Sequence, residues 1–111
     1  MSKFDEKMAL YDKALSTTAK DAVDGDLLKK VAKGLGPSIY LKDASLVSCS
    51  DQTELDRVKT NFLTKKLGMS DDAEMDAAIK DICGMYTDRM KHRAVFYYLL
   101  TKKLGKEAIY G

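Results

Sequence analysis

Cys49 stands in the run VSCSD, just ahead of a segment with helical spacing. The positive end of a helix dipole can lower the pKa of a thiol placed there, which favours the nucleophilic thiolate. Cys49 is therefore the candidate reactive thiol of this chain, suited to nucleophilic or redox chemistry. The flanking Ser48, Ser50 and Asp51 are equally explained as capping residues, so a structural cysteine is the competing reading. Cys83 falls on the apolar face of a later helix and reads as core. The two cysteines lie 34 residues apart with no CxxC partner, and two free thiols in a reducing compartment are expected.

His92 is the single histidine, set between Lys91 and Arg93, whose charge disfavours protonation of the ring. It could act as a general base or pH switch; a solvated or anion-facing helical residue is the plainer assignment. One histidine with two distant cysteines lacks the paired spacing of a zinc site. Asp71, Asp72, Glu74 and Asp76 are concentrated in SDDAEMD but lack the alternating pattern of a calcium loop, and they suit the positive end of a helix dipole. GLGP (34–37) runs into proline rather than into a helix start, so it is no phosphate loop. No catalytic, metal-binding or cofactor-binding residue is assigned, and no cofactor is expected.

Arg57, Arg93, Lys102 and Lys103 are candidate anion-binding residues. With Lys59, Arg89 and Lys91 they could form a nucleic-acid face on which Tyr97 and Tyr98 stack. The net charge is only +2 and acidic residues are interspersed, so nucleic-acid binding is expected to be weak. AVFYYLL (94–100) is apolar round its whole circumference, whereas a surface helix shows one stripe. Such a helix is either central or pairs one face with another molecule. Tyr97, Tyr98 and Leu99 are the candidate interface on the second reading, serving a homodimer or an unidentified protein partner.

Five helices are needed to position these groups. The first covers 3–15, with Phe4, Met8, Tyr11 and Leu15 at helical spacing. STTAKDAVDG (16–25) reads as a loop. A second helix starts with Asp24 or Asp26 as cap, presents Leu27, Leu28, Val31 and Leu35, and is stopped by Gly34, Gly36 and Pro37. PSIYLKDASLVSCS (37–50) is the least helical stretch; one short hairpin around 38–48 or an irregular loop both fit it. A third helix spans about 51–67 with Leu55, Val58, Phe62 and Leu63 inward, a fourth about 71–83, and a fifth about 88–104. SDQTELD and SDDAEMD share a capping pattern, with Ser or Asp accepting a backbone N–H and Glu reaching back.

LTKKLG occurs twice, at 63–68 and 100–105. Its leucines share a helix face, its lysines meet the negative dipole end, and its glycine suits a left-handed C-cap. Met69 can close the first cap on Leu63; Lys106 offers no such closure to the second. LLKKVAKGLG (27–36) and MDAAIKDICG (75–84) also match loosely, so a duplicated helix pair is compatible with the pattern.

Length and composition frame the whole. The chain has 111 residues, 45% hydrophobic and 32% charged, which suits one helical domain over 1–111 with a real core. MSKFDEKMALYDKAL lacks the apolar stretch of a signal peptide, and the longest apolar run is far too short to span a bilayer. A cytoplasmic protein without membrane association is expected. GLGPSIYLKDASLVSCSDQTELDRV, NFLTKKLG and KHRAVFYYLLTKKLGKE resemble a family of small bacterial proteins catalogued as domain of unknown function 2853. The resemblance runs from about residue 26 onward and implies a bacterial source, a single domain and no assigned activity. The expected fold is all-α, a bundle of about five helices with at most one short hairpin. The expected function is a non-catalytic interaction or accessory protein; the alternatives are a weak nucleic-acid binder and an enzyme or redox protein using Cys49.

Overall fold

A computed structural model of the chain describes residues 3–18, 23–41, 44–87 and 90–110. Five α-helices follow in order: α1 (Lys3–Thr18), α2 (Gly25–Leu35), α3 (Gln52–Arg57), α4 (Asp72–Met85) and α5 (Arg93–Leu104). A 3₁₀ turn, Gly36–Tyr40, follows α2, a π-helical stretch, Val58–Thr64, continues α3, and a second 3₁₀ turn, Glu107–Tyr110, follows α5. The fold is all-α, and no sheet forms among the described residues. In place of a hairpin around 38–48, an isolated bridge pairs Leu46 with His92. Pro37 explains the departure: it fixes φ and sits in the first turn of the 3₁₀ segment, directing Ile39 into the core.

α5 is the spine. Every residue from Ala94 to Thr101 is buried, and α5 packs against α1, α2 and α4. An all-round apolar helix has no face to give to water, so the other helices wrap it. Its polar atoms are satisfied locally. The Thr101 hydroxyl donates to the Tyr97 carbonyl at 2.8 Å, and the Tyr98 hydroxyl accepts the Asp24 N–H at 2.8 Å. That second bond ties the spine to the start of α2, where the Asp24 carboxylate accepts the Leu27 N–H. The amphipathic helices deliver the inward residues their spacing implies: Tyr11 and Leu15 from α1, Leu27, Leu28 and Val31 from α2, Met75, Ala78, Ile79 and Ile82 from α4.

The third helix departs from α geometry midway. Lys65 N–H donates to Thr60 O and Leu67 N–H to Phe62 O, each five residues back. This wider turn keeps Val58, Phe62, Leu63 and Leu67 all buried and stacks the Phe62 ring on Tyr97, centroids 3.9 Å apart. The two copies of LTKKLG therefore end different helices. At the second, Gly105 N–H reaches Lys102 O and Lys106 N–H reaches Thr101 O, the pair of bonds of a Schellman cap. At the first, Gly68 N–H reaches Thr64 O and Met69 N–H reaches Leu63 O, each one residue wider. Both glycines are left-handed, φ 72° at Gly68 and 66° at Gly105. Gly36 also has a positive φ, with ψ outside the left-handed helical range, whereas Gly84, its counterpart in the loose internal match, is helical within α4. The matched segments thus differ in local geometry at their ends.

Candidate functional site: a cystine between clefts

Asp51 sets the start of α3, its carboxylate accepting the N–H groups of Thr53 and Glu54. Cys49 lies two residues earlier. There it is bonded to Cys83, with the two Cα atoms 5.9 Å apart, inside the usual range for a disulfide. The expectation of two free thiols is corrected, and with it that of Cys49 as a free reactive thiol. Cys83 is also not core: it sits at the edge of the apolar stripe of α4 and is half-buried, as is Cys49. Pairing across 34 residues is a tertiary fact that sequence spacing does not disclose. The one available signal was that Cys83 neighbours Ile82 at the margin of the stripe, where a side chain can reach sideways.

Clefts open on either side of the cystine. The larger, about 730 Å³, is lined by the 46–51 segment together with Glu54 and Lys91. The smaller, about 380 Å³, has Cys49, Leu55, Lys59, Ile79, Lys80 and Cys83 among its walls. Cys49 borders both. A third hollow of about 370 Å³ lies beyond Glu54, lined by Ala44, Arg57, Asn61, Arg93 and Tyr97.

Arg93 holds the 44–47 segment in place. Its Nε donates to Ala44 O at 2.7 Å, Nη2 to Leu46 O at 3.1 Å and to the Glu54 carboxylate, and Nη1 to the Tyr97 hydroxyl at 3.1 Å. The backbone adds Arg93 N–H to Ser45 O at 2.7 Å and Val47 N–H to Lys91 O at 2.8 Å. Burial alone would lower the pKa of Arg93; the Glu54 carboxylate and Tyr97 outweigh it and raise the value. Glu54 was expected to reach back to its helix cap and instead pairs with Arg93.

Of the candidate anion-binding residues, Arg93, Lys102 and Lys103 are in ion pairs. Arg93 is engaged as described, Lys103 pairs with Asp81 at 3.0 Å, and Lys102 lies 3.8 Å from Glu107. Arg57 is exposed and shares the third hollow with Arg93. Arg89 lies outside the described residues. Tyr97, Tyr98 and Leu99, the candidate interface, are 7%, 2% and 5% exposed, so α5 takes the central of its two readings and offers no docking face. His92 is buried rather than solvated. Its ring packs 5.4 Å from that of Tyr11, and its N–H donates to the Tyr86 hydroxyl at 3.0 Å. The acidic cluster is accounted for by the Asp71 cap on Glu74 N–H and by Lys59, which bridges Asp72 at 3.3 Å and Asp76 at 3.1 Å. Among the described residues no group of His, Cys, Asp and Glu is arranged to hold a metal ion. No helix among them is long and apolar enough to cross a membrane.

Met85, Met90 and Ile109 are exposed, as are Leu10, Tyr40 and Leu41. Leu10 and Tyr40 line a shallow cleft of about 410 Å³ with Lys3, Glu6 and Lys7, and Leu41 follows Tyr40 in sequence. These three are 41%, 43% and 58% exposed. Sequence reasoning missed them because Leu10 falls off the inward stripe of α1 and Tyr40 lies in the 37–50 stretch, which a short hairpin and an irregular loop fit equally.

Residues 10–108 match the family profile described as "Protein of unknown function (DUF2853)". The chain belongs to the DUF2853 family. No curated protein matches it significantly. The match takes in α2 through α5, the cystine and the Arg93 contacts, and begins at Leu10, earlier than the resemblance read from the sequence. As a DUF2853 member the chain inherits a family without an assigned activity, so its function has to be argued from its own surface.

Proposed function

We propose that this chain is a small non-catalytic accessory protein that works by binding another protein. The observation that supports this reading is the pairing of exposed Leu10 and Tyr40 in one cleft with Lys3 and Lys7, next in sequence to the exposed Leu41. Apolar surface grouped in this way is more often a contact site than a single exposed leucine is. The fitting occupant is a partner segment that offers apolar side chains and a carboxylate to meet the lysines. A photo-crosslinking residue placed at Leu41 should yield one discrete adduct in the native cell, and the adduct should disappear when Leu10 is changed to Asp. Placement at the exposed Lys30 on α2 serves as control. Equal labelling from both positions would reject the patch as a specific site. An adduct of twice the chain mass, matched by concentration-dependent light scattering, would identify the partner as a second copy.

A further inference from the structure

We propose that the Cys49–Cys83 cystine is a thiol–disulfide exchange site, opened by a dithiol reductant and re-formed while the chain stays folded. A structural disulfide is commonly buried and supports elements that nothing else holds. This one is half-buried and flanked by clefts, and Cys49 borders both of them. An attacking sulfur needs such access to one of the two sulfurs.

The elements joined by the bond are also anchored without it. The 44–47 segment is held by the Arg93 side chain at Ala44 O and Leu46 O, and by the backbone bonds Arg93 N–H to Ser45 O and Val47 N–H to Lys91 O. On the other side, α4 is seated by Met75, Ala78, Ile79 and Ile82 in the core, and its first turns are bridged to the π segment by Lys59. Asp51 caps α3 independently of either sulfur. Opening the cystine therefore leaves both sulfurs near one another and ready to close again.

The smaller cleft exposes both cysteines and balances Lys59 and Lys80 against Asp56 and Asp76. The larger is bordered by Cys49 but not by Cys83. A thiolate entering the smaller cleft meets both sulfurs, and the attack falls on Cys83 because Cys49 is the sulfur that leaves. It forms a new S–S bond with Cys83, and the Cys49 sulfur leaves with the electron pair and takes a proton from solvent. Cys49 is the better leaving group because it lies just ahead of the helical run 52–64, whose positive end stabilises a thiolate. The second thiol of the reductant then loses its proton and attacks the reductant's first sulfur in the mixed disulfide, and the Cys83 sulfur leaves with the electron pair and takes a proton. In balance, two electrons and two protons pass from the dithiol to the cystine, giving two thiols and an oxidised reductant.

The test begins with millimolar dithiothreitol at neutral pH, alkylation of the released thiols, and mass analysis. Full reduction within minutes is expected, with helical circular dichroism and cooperative thermal unfolding retained and the bond restored on removal of the reductant. In the reduced chain Cys49 should alkylate at least several-fold faster than Cys83. A Cys-X-X-Cys oxidoreductase whose resolving cysteine is replaced by Ser should be trapped on Cys83. If the cystine resists reduction until the protein is denatured, or if the reduced chain unfolds, the bond is a structural staple and the proposal fails. An adduct trapped on Cys49 would overturn the assigned direction of attack.

Discussion

At the scale of the residue, Tyr11 is the outlier. Its side chain is 1% exposed and its hydroxyl has no hydrogen-bond partner among the described residues. A buried polar group left unpaired costs roughly 1–3 kcal/mol. Tyr11→Phe removes the hydroxyl and keeps the ring against His92, so we expect stabilisation by about 1 kcal/mol in chemical denaturation. The same residue sets a dependence on alkaline pH. Burial, helped by Tyr40 and Tyr86, pushes the Tyr11 phenol up from 10.0 to about 12. Burial, with Tyr97 beside it, does the same to Tyr110. The folded chain therefore holds these protons more tightly than the unfolded one. Their contribution to stability is complete below pH 10 and is lost as pH rises through about 12. Denaturation midpoints should be flat approaching pH 10 and fall above it, with a shallower fall in Tyr11→Phe. A wild-type midpoint unchanged to pH 12 would contradict the buried phenol.

At the scale of the element, LTKKLG shows what local sequence can and cannot specify. Identical residues carry identical propensities, and both copies end a helix on a left-handed glycine, which was legible from Leu, Lys and Gly alone. That one copy is π-wound and the other α was not legible. The difference arises from surroundings, since Phe62 must stack on Tyr97 while Leu100 faces the interior of the bundle. Gly68→Ala and Gly105→Ala should each destabilise by about 1 kcal/mol, because alanine resists positive φ. A Cβ at either position would meet nothing within 4 Å, so the loss is one of backbone conformation and not of collision. An unchanged or raised midpoint in both variants would refute the caps. The start of the fifth helix was misjudged for a related reason. Residues 90–92 have helical composition, but His92 is drawn into a bridge with Leu46, and α5 begins only at Arg93. The candidate site suffered most, since the cystine and the Arg93 contacts join positions 34 to 49 residues apart.

At the scale of the whole molecule, the apolar circumference of AVFYYLL allowed a central helix or an interface, and the packing of α1, α2 and α4 around it decides for the first. Tyr98→Asp would place a carboxylate where Tyr98 is 2% exposed and would remove the hydroxyl that accepts the Asp24 N–H. An unpaired buried charge costs several kcal/mol, a large part of the roughly 5–15 kcal/mol that holds a domain together. We expect the variant to lose cooperative unfolding. If it stays folded and only changes its association state, α5 is an interface after all.

The position of that spine has a bearing on biosynthesis. A ribosome releases α1 to α4 before the segment they must enclose, so for most of its synthesis the nascent chain carries amphipathic helices with no shared interior. Folding must wait for α5, and a stop codon placed before Arg93 should leave a polypeptide for chaperones and proteases rather than a smaller version of the domain.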